Sequence, residues 1–141
     1  MTGSEYVKDA MRTNDKKGTD RLLKVIQKHN FVVTDKISGK TSDLVNDGID
    51  VGGVLNACLG LSGEVGELND MVKKVIFHEK ELDEIHLKKE LGDVMWYVAM
   101  FCSSMGWNLD EILQMNIQKL KDRYPEGFDV VRANNRKQGD V

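Results

Sequence analysis

From Val54 to Tyr124 apolar residues return at steps of three and four, the period of an amphipathic α-helix, and a single proline, Pro125, occurs in the whole chain. The pattern predicts three helices, over about 50–78, about 82–105 and about 109–123, in an all-α fold whose short connections set neighbours antiparallel. Asn108, with Glu111 three residues on, has the form of a capping box opening the third helix, and Pro125 and Gly127 close it. Ahead of these, residues 4–11 and 19–29 read as short helices, 31–33 as β-favouring and 39–46 as turn-rich. The polar stretch ANNRKQGDV after Arg132 has nothing to bury and is expected to fray.

Counted at 100° per residue from Leu61, the residues Val54, Cys58, Val65, Leu68, Val72, Val75 and Ile76 form one apolar stripe, with Glu64 and Glu67 along its edge. Counted from Leu87, the residues Leu91, Val94, Val98, Phe101, Cys102 and Met105 form a second, with Glu90 and Asp93 at the same offsets. The strings Glu64-Val-Gly-Glu67-Leu and Glu90-Leu-Gly-Asp93-Val repeat one design: acid, aliphatic, glycine, acid, aliphatic. Helices packed antiparallel through these stripes would gather four carboxylates on one flank, with Gly66 and Gly92 permitting close approach. Like charges that near cannot all ionise without a cation. Hard carboxylate oxygens favour Mg²⁺ or Mn²⁺, and Mg²⁺ keeps water and substrate phosphate among its ligands, so the cluster points to phosphoryl or nucleotidyl chemistry with a metal-bound water as nucleophile.

Spacing by itself carries little, because 23 acids among 141 residues place such pairs by chance. Glu81 and Glu84 share the three-residue step yet fall elsewhere on the wheel, as solvated charges do. Wheel geometry leaves a metal site and two salt-bridged surface stripes both open. On the third helix Leu109, Leu113, Ile117 and Leu120 define an apolar face that contains Asn116, with Lys119 and Arg123 beside it. Those groups can meet phosphate oxygens or simply pair with the carboxylates. Lys74 lies near Glu67, where an ion pair is the better reading, and Tyr97 lies on the carboxylate flank, where packing is the commoner role.

With 20 basic against 23 acidic residues and a net charge of −3, no electrostatic footprint for unspecific nucleic-acid binding exists. Length and 40% hydrophobic content suit one domain. Cys58 and Cys102 sit among apolar neighbours, as reduced buried thiols in a cytoplasmic setting do. No signal-peptide h-region and no membrane-spanning run is expected. Ser38-Gly39-Lys40-Thr41 resembles the end of a phosphate loop, but Thr34 stands where its first glycine belongs and helical periodicity replaces the required sheet. His29, His78 and His86 form no Glu-x-x-His pair for a di-iron bundle, and no His or Cys pair has zinc spacing.

Three blocks, GLSGEVGEL (60–68), KKELGDVMWYVA (88–99) and NIQKLKDRYPEGF (116–128), resemble in order the signature blocks of the MazG-like nucleoside triphosphate pyrophosphohydrolases of the all-α NTP pyrophosphatase superfamily. EYVKDAMRT (5–13) is similar to the family's N-terminal helix, whereas residues 14–50 match nothing familiar and leave base preference unread. The resemblance implies that Glu64, Glu67, Glu90 and Asp93 bind Mg²⁺, that one of the two glutamates Glu64 and Glu67 orients or deprotonates the attacking water, and that Asn116, Lys119 and Arg123 hold the triphosphate. It implies cleavage between the α and β phosphorus atoms, giving a nucleoside monophosphate and pyrophosphate, in a homodimer or homotetramer. A non-catalytic helical interaction module whose acids hold a structural ion stays open beside it.

Overall fold

Asp50, Asp83 and Asn108 each stand just before a helix and each accepts a backbone N–H of its first turn, from Gly53, His86 and Asp110 respectively, all at 2.9 Å. In this computed structural model, which describes residues 1–28 and 49–135, the chain forms α1 (Gly3–Ala10), a 3₁₀ turn (Met11–Thr13), α2 (Gly18–Lys28), α3 (Val51–His78), α4 (Glu84–Met105), α5 (Leu109–Arg123) and α6 (Val130–Asn134). Left-handed residues end the two long helices, Glu79 at φ 53° after α3 and Gly106 at φ 67° after α4. The fold is all-α, with no strand among the described residues, and the three long helices fall where the periodicity places them. The β-favouring stretch, the turn-rich stretch and the SGKT string lie outside the described residues.

Local chemistry differs from expectation at two helix ends. Asn108 caps α5 through Asp110 and not through a box with Glu111; the reciprocal box opens α1, where Thr2 accepts from the Glu5 N–H (3.1 Å) and Glu5 accepts from the Thr2 N–H (2.7 Å). Of the tail after Arg132, residues 133 and 134 close a helix whose start Asp129 caps through the Arg132 N–H (2.7 Å), and residues 136–141 lie outside the described residues.

α3 and α4 pack antiparallel. The Asp50 N–H donates to the Ser104 carbonyl (2.9 Å), the Asn56 amide meets the Met100 sulfur (3.6 Å), and Gly60 lies against the ring of Tyr97. The pairs 53 with 104, 56 with 100 and 60 with 97 descend the two helices in step. The contact face is therefore lined by Gly53, Ala57 and Gly60 on α3, and the aliphatic stripe of α3 is only partly covered. Cys58, Val65, Val72 and Ile76 are exposed, as is Leu91 on α4. The buried core comprises Met11, Ala57, Ala99 and Met100, with Tyr6, Val7, Ala10, Trp96, Tyr97 and Phe101 packed on it. Gly66 and Gly92, expected at the close approach, have open space where a Cβ would stand, whereas a Cβ on Gly60 would lie 2.1 Å from Tyr97. Small side chains, which let backbones approach, decide the contact face; aliphatic content decides only which surface remains to be covered.

The shorter helices brace this pair. The Trp96 indole N–H, on α4, donates to the Ala10 carbonyl (3.2 Å) and to the Thr13 hydroxyl (2.8 Å), holding α1 across α4. α2 crosses α3 with backbones in contact, since a Cβ on Gly52 would lie 2.0 Å from the Gly18 carbonyl carbon. Asp110 at the start of α5 accepts from the Gly3 N–H (2.7 Å), the Ser4 N–H (3.0 Å) and the Ser4 hydroxyl, bonds that pull its carboxyl below the usual range. Leu109 is buried beside this junction, but from Glu111 to Asp122 every residue except Ile112 is exposed, so α5 leaves the pair after one turn. Both cysteines are free thiols; Cys102 is buried, which pushes its thiol up, while Cys58, expected inside, is exposed because the stripe that carries it faces outward. No described helix is long and apolar enough to cross a membrane.

Candidate metal centre

Two helical turns beyond Asn56 and Met100, the same antiparallel register carries Glu64 towards Asp93 and Glu67 towards Glu90. Glu64, Glu90 and Asp93 each offer a carboxylate oxygen, and these atoms all lie within 4.8 Å of one another. Glu90 is buried, Glu64 half-buried and Asp93 exposed, so the group opens to solvent at one side. The carboxyl of Glu64 is pushed above its ordinary range by burial first, then by the charges of Glu67, Asp93 and Glu90, and by a side-chain hydrogen bond with Glu90. Like charges held this close repel, and a bound cation would offset that repulsion. Three hard oxygens, with no imidazole or thiolate among them, fit an oxygen-loving divalent ion and suit zinc poorly.

Glu67 is not one of the three. It lines a cavity of about 370 Å³ together with Gly63, Asp70, Lys74, His86 and Glu90, immediately beside the cluster. Lys74 also borders this space, and it is paired with Asp70 rather than with Glu67; Lys73 joins the same carboxylate, whose pKa is pulled down to about 2. Tyr97 serves packing: its ring covers Gly60 and meets Trp96 edge-on at 4.9 Å and 88°.

Two neighbours of the cluster were not singled out by spacing. His86 Nε2 lies 2.7 Å from Glu90 Oε1, a contact foreshadowed only by the i,i+4 step between them. Tyr6, on α1, is near enough to Asp93 that the carboxylate's charge adds to burial in pushing the phenol up. Nothing in the local sequence of α1 announces that neighbour, which exists only because Trp96 anchors α1 across α4.

The third block lies apart. Asn116 and Lys119 are exposed on the free length of α5 and Arg123 is half-buried near its end, and α5 makes its extensive contact with α1 rather than with α3 or α4. Asn116 thus does not sit in a buried face, because Leu113, Ile117 and Leu120 beside it are themselves exposed. The single chain brings three of the four acids together, sets the fourth at the rim, and does not bring the α5 groups to them.

The chain is all-α and turns acidic side chains from two antiparallel helices into one cluster that could hold a metal ion. The chain belongs to the MazG family: the model of the MazG nucleotide pyrophosphohydrolase domain matches residues 54–128, a span that includes all four acids and the α5 groups. It is 34% identical over 90 residues to the "Gene 37 protein" of Mycobacterium phage L5, a match covering 60% of this chain and 77% of that protein. No solved structure matches the chain.

Proposed function

We propose that this protein is a Mg²⁺-dependent nucleoside triphosphate pyrophosphohydrolase, cleaving ribo- or deoxynucleoside triphosphates to the monophosphate and pyrophosphate. The convergence of Glu64, Glu90 and Asp93 inside the span of the family match carries this reading. Those three side chains, with Glu67 beside them, would hold Mg²⁺ or Mn²⁺. When bound, such an ion neutralises phosphate charge and acidifies water. Glu64 or Glu67 orients a water towards the α phosphorus and takes its proton as the new P–O bond forms. The bond from the α phosphorus to the α–β bridging oxygen breaks, and its electron pair leaves with pyrophosphate. Asn116, Lys119 and Arg123 hold the triphosphate and oppose the charge gathering on the leaving group.

Since α5 stands away from the acids of its own chain, we assign its approach to a second copy, docked on the apolar surface that α3 and α4 leave uncovered. Leu59, Ile76, Phe77 and Ile85 on that surface are all more than half exposed, an arrangement a lone soluble domain rarely keeps. Sedimentation velocity at micromolar protein is expected to show a dimer or tetramer; an active monomer would remove the second copy from the site. The two free thiols suit a cytoplasmic setting.

The deciding experiment incubates the full chain with Mg²⁺ and a panel of ribo- and deoxynucleoside triphosphates and resolves mono-, di-, pyro- and orthophosphate. Monophosphate with pyrophosphate is expected. Diphosphate with orthophosphate would reassign the bond that breaks, and metal-dependent stabilisation without any turnover would make the centre structural.

A further inference from the structure

We propose that His86 is a positioning residue of the carboxylate centre: its Nε2–H holds the Glu90 carboxylate in one orientation and thereby sets the affinity of the centre for a divalent cation. The inference rests on the reading of Glu64, Glu90 and Asp93 as a cation site and goes beyond it, because His86 lies outside that group of three.

The placement of His86 is fixed from three directions. It lies one turn before Glu90 on α4, so both side chains share a face. Its backbone N–H is the one that Asp83 caps at 2.9 Å, which pins the first turn of the helix and with it the root of the imidazole. Its ring then reaches Glu90 Oε1 at 2.7 Å, a short bond of the kind made to charged acceptors. Glu90 is 9% exposed while the His86 side chain is about half exposed, so the imidazole roofs a carboxylate that is otherwise inside.

A glutamate needs such a roof. The last torsion of its side chain is broad and nearly two-fold, so an untethered carboxylate samples orientations that a metal must then select among. A donor fixed on one oxygen removes that freedom beforehand. The carboxyl of Glu90 also meets that of Glu64, so the bond from His86 bears on how the two carboxyls are set against each other. The pair further shapes the space around the centre: His86 and Glu90 line both the cavity of about 370 Å³ on the Glu67 side and one of about 540 Å³ on the Asp93 side, and so form the partition between them. Lys74 on these walls is engaged by Asp70, whereas the imidazole is engaged by a member of the centre itself.

The test titrates the full-length protein with Mn²⁺ alone, following free Mn²⁺ by electron paramagnetic resonance, in the natural protein and in His86→Ala, His86→Gln and Glu64→Gln. Outer-shell partners of metal ligands typically contribute ten- to a hundred-fold in affinity. His86→Ala is therefore expected to weaken Mn²⁺ binding by about ten- to a hundred-fold, while His86→Gln, which keeps an N–H at a similar reach, stays within a few-fold of the natural protein. Thermal melting in EDTA should be alike for the natural protein and the two His86 variants, which separates positioning from folding. Equal affinity in His86→Ala and the natural protein overturns the role of His86 and leaves the centre standing, as does equal weakening in His86→Ala and His86→Gln. Absence from the natural protein of saturable binding that Glu64→Gln removes overturns the centre and His86 together.

Discussion

Glu64→Gln is expected to lower kcat/KM for triphosphate hydrolysis by about three orders of magnitude, a loss of roughly 4 kcal/mol in transition-state stabilisation, with the helices intact. Glutamine keeps the shape of the side chain and its capacity to hydrogen-bond with Glu90, and it removes one negative charge from the set that meets within 4.8 Å. In the metal-free protein that charge is a burden. Burial and the charges of Glu67, Asp93 and Glu90 raise the Glu64 carboxyl above its ordinary value of 4.5, so above pH 4.5 the folded state binds more protons there than the unfolded state. Stability must then fall as pH rises from 4.5 through the raised folded value. Glu64→Gln should flatten that fall in EDTA, and should also abolish the stabilisation by Mg²⁺ that the proposed function expects of the natural protein. Opposite effects on metal-free stability and on turnover are the signature of a site rather than of a surface stripe. Glu84→Gln is the control: Glu84 is exposed and meets only Lys88, at 3.6 Å, a pair of the kind that contributes little. Equal kinetics in the two variants would remove Glu64 from the chemistry.

The parts of this arrangement that could be read from sequence are those fixed within one helical turn. Asn108 was read as the start of α5 because its side-chain oxygen answers a backbone N–H two positions on; Asp50, Asp83 and Gly106 mark helix ends by equally local chemistry. The nearness of Glu64 to Glu90 and Asp93 follows from acids carried at one offset in Glu64-Val-Gly-Glu67 and Glu90-Leu-Gly-Asp93 on two antiparallel helices, whereas Glu67 falls outside that group of three. The contact face was not legible from hydrophobicity. Val65, Val72 and Leu91 are as aliphatic as any core residue, yet they stay exposed, because closest packing goes to Gly53, Ala57 and Gly60, where backbones can approach. A stripe records the total apolar area to be covered, inside the chain or by another copy, and cannot separate the two. His86 and Tyr6 were missed for a related reason. Each matters only through a neighbour, Glu90 or Asp93, that the fold supplies.

Gly60→Ala should destabilise the protein by about 1–3 kcal/mol, although alanine is the better helix former by up to about 1 kcal/mol. The added Cβ would stand 2.1 Å from Tyr97 Cε1 and 2.2 Å from its Cζ. The ring has little room to yield, because its edge contact with Trp96 is backed by the indole's bonds to Ala10 and Thr13. Relief must come from moving α3 away from α4, and Gly60 with Tyr97 lies one turn from Glu64 with Asp93. The same substitution should therefore weaken Mn²⁺ binding without touching a carboxylate. Gly92→Ala separates this from the general effect of removing a helical glycine: a Cβ there meets nothing within 4 Å, so it should raise stability by about 0.5–1 kcal/mol. Denaturant melts of both variants, followed by Mn²⁺ titration, check the pair. If Gly60→Ala is as stable as Gly92→Ala, or is destabilised with unaltered Mn²⁺ affinity, helix separation at Gly60 does not set the geometry of the acids. Loss of both together would show that the glycine and the carboxylates one turn on are parts of a single device, in which the smallest side chain on α3 fixes how close its acids come to those of α4.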